Sequence, residues 1–332
     1  MAELHGSRVY ANRAAFRRAL HSPERECSGS VRGARAVAAR SAQRRGALVE
    51  SWQAIVLGLV EGITEYLPIS STGHLILTSS LLGLVTPESK ESVATFEIAI
   101  QGGAILAVLG LYRNRVAQML RGLAGRDAEG RRLFVHLAIA FLPAALLGPL
   151  LDDPIDAYLF HAGPVLLALF LGGLWMIWLD RRHPPDEGFG IDSLRWQQAL
   201  AIGLFQCAAM WPGTSRSMMT IAGGVLIGLR ARDAAEFSFL LGVPTLGAAC
   251  GYKLLKNLLA STHAGTPNLF EQLGVAQVLL GFAVAAVAAA IAVRWLVGFL
   301  QRHGLAPFGW YRVVLSVVLG VLSLAGVVSL DG

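Results

Sequence analysis

Glu61 and Glu65 stand four residues apart in sequence that is otherwise almost free of charge, and Ser70, Ser71, Thr72 and His74 follow them. On a helix, positions i and i+4 share a face, so the two carboxylates become neighbours. Adjacent carboxylates repel unless a proton or a cation intervenes. A hard divalent ion such as Mg²⁺ or Ca²⁺ takes oxygen ligands and suits such a pair; the plainer alternative is one protonated, hydrogen-bonded carboxyl. Pro68 ends this helix. The hydroxyls after it precede a second apolar segment, where they serve as N-caps. A helix N-terminus also offers free N–H groups and a positive dipole end to an anion. His74 lies three residues past Ser71, on the same side of a helical turn. A base beside a hydroxyl is the minimal arrangement for an activated nucleophile.

A second polar cluster reads Trp211-Pro212-Gly213-Thr214-Ser215-Arg216-Ser217. It again follows a proline break with hydroxyls, and it adds a guanidinium whose rigid fork suits phosphate. One cluster thus offers acids, hydroxyls and a histidine; the other offers hydroxyls and an arginine. Together they describe a site for a phosphate or diphosphate with a cation.

The elements that carry these clusters belong in a membrane. The chain has 332 residues, 54% hydrophobic and 15% charged, against about 25% charged in soluble domains. Six stretches are long enough to cross a bilayer: roughly 93–112, 133–151, 162–179, 236–255, 274–297 and 310–329. Regions 52–84 and 196–229 are also apolar, but each is broken in the middle by one polar cluster. Ionisable groups at membrane depth mark function by default, so the substrate is expected to be a lipid phosphate.

The two broken regions align with each other. Gln53 to Glu61 lines up with Gln198 to Gln206, and Pro68-Ile69-Ser70-Ser71 with Pro212-Gly213-Thr214-Ser215. Paired interrupted segments in two halves point to a site at the repeat interface. The expected fold is an all-α polytopic membrane protein, with six full spans plus two re-entrant helix hairpins in an inverted repeat. The halves cover about 50–180 and 195–330. The 113–132 connection carries six Arg, whereas 152–161 carries three Asp and no Lys or Arg. Positive-inside counting therefore places the first in the cytoplasm and the second outside.

Residues 1–47 hold ten Arg and three Glu, while the remaining 285 hold 18 basic and 19 acidic groups. The basic excess belongs to this segment, so the body is not read as binding nucleic acid. Residues 1–49 lack an apolar stretch, and are read as a disordered extension or a start assigned too early. Cys27, Cys207 and Cys250 match no metal spacing and read as small buried hydrophobes.

The run Glu61-Gly62-x-Thr64-Glu65-x-Leu67-Pro68-x-Ser70-Ser71-Thr72-Gly73-His74 and the run Pro212-Gly213-Thr214-Ser215-Arg216-Ser217 resemble the two signature motifs of the bacitracin-resistance-type undecaprenyl-diphosphatase family. Ile100-Gln101-x-Gly103-Ala104-Ile105-Leu106 and Phe237-Ser238-Phe239-Leu240-Leu241 support the match, which covers about 50–330. The resemblance implies a bacterial inner-membrane hydrolase that needs a divalent cation. It would act on the external, periplasmic face, converting undecaprenyl diphosphate to undecaprenyl phosphate and phosphate. Carrier recycling for cell-wall synthesis and bacitracin resistance come with it. Carried over by position, Glu61 and Glu65 are the acidic, metal-holding pair, Ser71 the nucleophile and His74 its partner. Arg216 holds the diphosphate with Ser215 and Thr220; Ser70, Thr72, Thr214 and Ser217 complete the hydroxyl set. Met218-Met219 departs from the family pattern, which has small residues there. The partners implied are the polyprenyl diphosphate lipid and membrane lipids; homodimerisation is left open. The rival reading is a transporter or flippase of a polyprenyl phosphate lipid, because inverted repeats with broken helices also build transporters.

Overall fold

The computed structural model describes residues 48–86, 89–264 and 273–325. The Arg-rich segment 1–47, with Cys27, lies outside them. Every element among the described residues is helical. The chain opens with α1 (Ser51–Thr64) and α2 (Ser71–Leu81), of 14 and 11 residues. Next come α3 (Lys90–Leu111), α4 (Arg113–Leu123), α5 (Ala128–Leu159) and α6 (Ala162–Asp180). A one-turn 3₁₀ helix at Ile191–Ser193 leads to α7 (Trp196–Ala208) and α8 (Arg216–Leu226), of 13 and 11 residues. The chain continues through α9 (Ala231–Ala264), α10 (Val275–His303) and α11 (Ala306–Leu324).

Six helices are long and apolar enough to cross a membrane: α3, α5, α6, α9, α10 and α11. Each overlaps one of the six expected spans, and residues 326–329 of the last expected span lie outside the described residues. The four short helices α1, α2, α7 and α8 are the halves of the two broken regions. None reaches the roughly 20 residues that a bilayer requires. One element was not expected: the Arg-rich 113–132 connection folds as α4 and the first turn of α5. Its Arg115 pairs with Glu236 at 2.8 Å and with Asp192 at 3.1 Å. This ties the connection to the one that joins α6 to α7.

Each broken region starts the same way. Glu50 and Gln53 form a capping box at α1, and Arg195 and Gln198 occupy the same places at α7. Each first half-helix then packs on a long helix of the other half, α1 on α10 and α7 on α5. Small residues permit this, as in other membrane helix pairs. A Cβ on Gly62 would run into the backbone of Ala285, and one on Gly203 into that of Ala140. The glycine beside Glu61 is therefore a packing residue that brings α1 against α10.

Met218 and Met219 are both buried. The Met218 methyl group lies against Gly172 of α6. The departure from small residues is thus absorbed where a glycine on the facing helix leaves room.

Candidate active site

Two serines position the site. Ser70 and Ser215 have φ of 75° and 76°, and are the non-glycine residues with positive φ among the described residues. Such a backbone is strained for an L-residue and persists where the surroundings enforce it. Each is the N-cap of the second half-helix in its region. The Ser70 hydroxyl accepts from the Gly73 N–H at 3.4 Å, and that of Ser215 from the Met218 N–H at 3.3 Å. The repeat register therefore shifts by one from the sequence alignment: Ser70 matches Ser215, and Ser71 matches Arg216. Both half-helices begin at the same cavity, of about 130 Å³, whose wall includes Glu65, Ser71, Thr72, Gln101, Gly213 and Arg216. Two positive helix ends thus face one small polar space.

Glu65 joins the halves. Its Oε1 accepts from Arg216 Nη2 at 2.9 Å across 151 residues of sequence. Its Oε2 accepts from Ser71 Oγ at 2.7 Å and from Gln101 Nε2 at 3.2 Å. The pair is well shielded, with 11% of the Arg216 side chain and 5% of the Glu65 side chain exposed. Arg216 also donates from Nη1 to the Ser238 carbonyl at 3.1 Å, and its guanidinium lies 5.4 Å from the Tyr66 ring centre. Its Nε is buried with no protein partner.

Other expected residues sit elsewhere. His74 does not face Ser71. Its Nδ1 lies 2.7 Å from the Ser70 carbonyl and its Nε2 2.7 Å from the Tyr311 hydroxyl. A carbonyl only accepts, so Nδ1 carries the proton and Nε2 accepts from Tyr311. The group beside Ser71 is the Glu65 carboxylate, because the strained turn at Ser70 folds Ser71 back towards α1. Ser217 is fully buried and donates to the Leu67 carbonyl at 2.9 Å, linking the two breaks. The Thr220 hydroxyl is also buried, 2.6 Å from that of Ser238. Both hydroxyls are used in packing, and with Thr214 and His74 they lie off the cavity wall.

Glu61 is fully buried, and neither of its carboxylate oxygens has a hydrogen-bond partner. An orphaned buried carboxylate fits a cation. Among the described residues, no three His, Cys, Asp or Glu side chains group to hold a metal. Mg²⁺ commonly binds through one or two carboxylates and takes its remaining oxygens from water and substrate phosphate, so this donor set suits it.

Sequence reasoning gave no role to three residues that shape the site. Gln101 caps Glu65. Tyr311 holds His74. Arg312, fully buried, donates from Nη2 to the carbonyls of Gly213 and Ala168, each at 3.0 Å, and so fixes the second break against α6. The available signal was a polar residue isolated in an apolar span. The two cysteines among the described residues, Cys207 and Cys250, are free but only half-buried, and Cys250 Sγ donates to Gln101 Oε1 at 3.2 Å, so it is not the purely apolar filler expected.

Fold and cavity together describe a chain with six helices long and apolar enough to cross a membrane, whose two broken helix pairs meet at one small polar cavity. The chain belongs to the family described as Bacitracin resistance protein BacA, which matches residues 54–318. It is 45% identical over 271 residues to an undecaprenyl-diphosphatase of Sorangium cellulosum, covering 81% of this chain and 85% of that protein. It is 43% identical over 286 residues to one from Methylococcus capsulatus, covering 86% of this chain and all of that protein. An undecaprenyl-diphosphatase 2 of Rhodospirillum rubrum is 43% identical over 284 residues, covering 85% of this chain and 98% of that protein.

Proposed function

We propose that this chain hydrolyses undecaprenyl diphosphate to undecaprenyl phosphate and inorganic phosphate. The observation that carries the reading is the Ser71–Glu65–Arg216 chain at the mouth of two half-helices. Phosphoryl transfer needs positioning and charge neutralisation more than covalent chemistry. Arg216 and the two helix N-termini receive the diphosphate oxygens. Ser71 Oγ attacks the terminal phosphorus while Glu65 takes its proton. The bridging P–O bond breaks, and undecaprenyl phosphate leaves. Glu65 passes the Ser71 proton to the departing phosphate. Water then attacks the phosphoserine. Glu65 takes a proton from the water and returns it to Ser71 Oγ as the Ser–O–P bond breaks and inorganic phosphate leaves. Ser70, Thr72 and Ser215 line the same space and orient the phosphate. His74 acts through the Ser70 carbonyl and keeps the strained cap in place. Glu61 and Glu65 would hold a divalent cation, which supplies further neutralisation of diphosphate charge when bound. The test is phosphate release by the purified protein in detergent, where no gradient or second leaflet exists. The reading expects one phosphate per diphosphate lipid consumed; a flippase of the same lipid would release none.

The proposal includes two re-entrant hairpins, α1–α2 and α7–α8, related by an inverted repeat in a bacterial inner membrane. The matched caps at Ser70 and Ser215 and the exchanged packing of α1 on α10 and α7 on α5 support it. So does Arg115, which bridges connections that the charge pattern assigns to the cytoplasm. The cavity then opens to the periplasmic face. Carrier recycling for the cell wall and bacitracin resistance follow from the activity. In a cysteine-free background, cysteines at Thr86 and Tyr158, both exposed, should react with an impermeant maleimide outside spheroplasts. Those at Glu129 and Asp186 should react only after lysis. Labelling of Thr86 and Tyr158 from opposite sides would remove the first hairpin.

A further inference from the structure

Cys250 of α9 is tied to the polar cavity through Gln101 of α3. Its Sγ lies 3.2 Å from Gln101 Oε1 and 3.4 Å from the Ile98 carbonyl oxygen. Gln101 Nε2 donates in turn to Glu65 Oε2 at 3.2 Å, and the same oxygen accepts from Ser71 at 2.7 Å. Glu65 is the C-cap of α1, and Ser71 is the first residue of α2. One run of hydrogen bonds therefore joins α9, α3, the end of α1 and the start of α2.

The chemistry of each group fixes the direction of the protons in this run. A carboxylate only accepts, so the edge that Gln101 turns to Glu65 is its NH₂ group. Its carbonyl oxygen then faces α9, and an amide oxygen also only accepts. The donor that reaches it is the Cys250 S–H. The amide is thus held at both edges. Turned over, it would set its oxygen against the carboxylate and leave its NH₂ against sulfur, a weak acceptor. Glu65 would then be held by Arg216 and Ser71 alone, and its Oε2 would lose the contact that orients it from the α3 side. The other partner of the ion pair also leans on α9: the Ser238 carbonyl accepts from Arg216 Nη1 at 3.1 Å. One helix thus holds Arg216 directly and Glu65 through Gln101.

We propose that Cys250 is a positioning residue for phosphate release: its S–H locks the Gln101 amide with Nε2 towards Glu65, which keeps Glu65 Oε2 aimed at Ser71 Oγ. The inference rests on the diphosphatase reading. The competing account is a small side chain that fills space between α3 and α9, with its proton on the Ile98 carbonyl. The two accounts differ in what a donor at this position is worth.

Serine and alanine fill nearly the same volume, so comparing them isolates the donor. Cys250→Ala should lower kcat about tenfold and leave KM within about twofold, because a buried acceptor loses its partner. Cys250→Ser keeps a donor and should stay within about twofold of the parent. Gln101→Leu removes the amide, and adding Cys250→Ala to it should then cost less than about twofold more. Equal losses in the serine and alanine variants, or full additivity with Gln101→Leu, would overturn the proposal. A second measurement needs no turnover. With Cys27 and Cys207 replaced by alanine, the infrared S–H stretching band belongs to Cys250 alone. Gln101→Leu should shift that band. An unmoved band would put the proton on Ile98 and overturn the proposal. A band that moves in a protein that releases no phosphate would keep the Cys250–Gln101 lock and sink the phosphatase reading instead.

Discussion

Glu65→Gln lowers phosphate release from undecaprenyl diphosphate by about 10²–10⁴-fold, the usual contribution of a positioned acid–base group. The amide keeps the shape of the carboxylate and loses its charge. Ser71 then has no base at hydrogen-bond distance. Arg216 loses the counter-charge that holds one edge of its guanidinium. Removing one partner of a buried ion pair also destabilises, by about 3–5 kcal/mol. The variant should therefore melt earlier in detergent, and activity must be compared below that temperature. Turnover within about threefold of the parent, in folded protein, would remove Glu65 from the chemistry.

Arg216→Lys keeps the charge and loses about 10²-fold or more in kcat/KM, comparable to removal of one preorganised donor. The guanidinium fills a flat slot. The Tyr66 ring lies 5.4 Å from it, and Gly242 lies against it closely enough that a Cβ there would sit 2.7 Å from Nη1. Nη1 and Nη2 reach Ser238 and Glu65 together, and Nε stays free for substrate. An ammonium is a point donor on a flexible stem and cannot serve these directions at once. Near-normal turnover by the lysine variant, measured as phosphate release across a substrate series, would reduce Arg216 to a counter-charge.

Much of this arrangement was readable from residue types. Apolar runs of sufficient length located all six long helices. Proline followed by hydroxyls located both breaks, and an arginine and two glutamates at membrane depth marked the site. What sequence spacing missed depends on backbone direction. Ser71 and His74 share a turn by count, but the positive φ at Ser70 turns Ser71 to Glu65 and leaves His74 to Tyr311, 237 residues away. The same geometry corrects the repeat register by one residue, because a one-gap alignment scores identities and not cap conformation. Thr220 and Ser217 entered the expected hydroxyl set by position, from the family resemblance. In the fold they satisfy buried carbonyl and hydroxyl groups. Gln101, Tyr311 and Arg312 were silent because a single polar residue in an apolar helix gains meaning only from what it faces. The α4 helix was not anticipated, since the arginines of 113–132 signal a cytoplasmic connection whether or not it is helical.

The central claim is that the two breaks form one site around Glu65 and Arg216. An experimental structure of the protein with farnesyl methylenediphosphonate tests it most directly. The account predicts the terminal phosphonate between the N-termini of α2 and α8, touching Arg216 and within reach of Ser71 Oγ. Density for the two phosphonates at any other place in the bundle, with the Glu65–Arg216 pair left uncontacted, would contradict it.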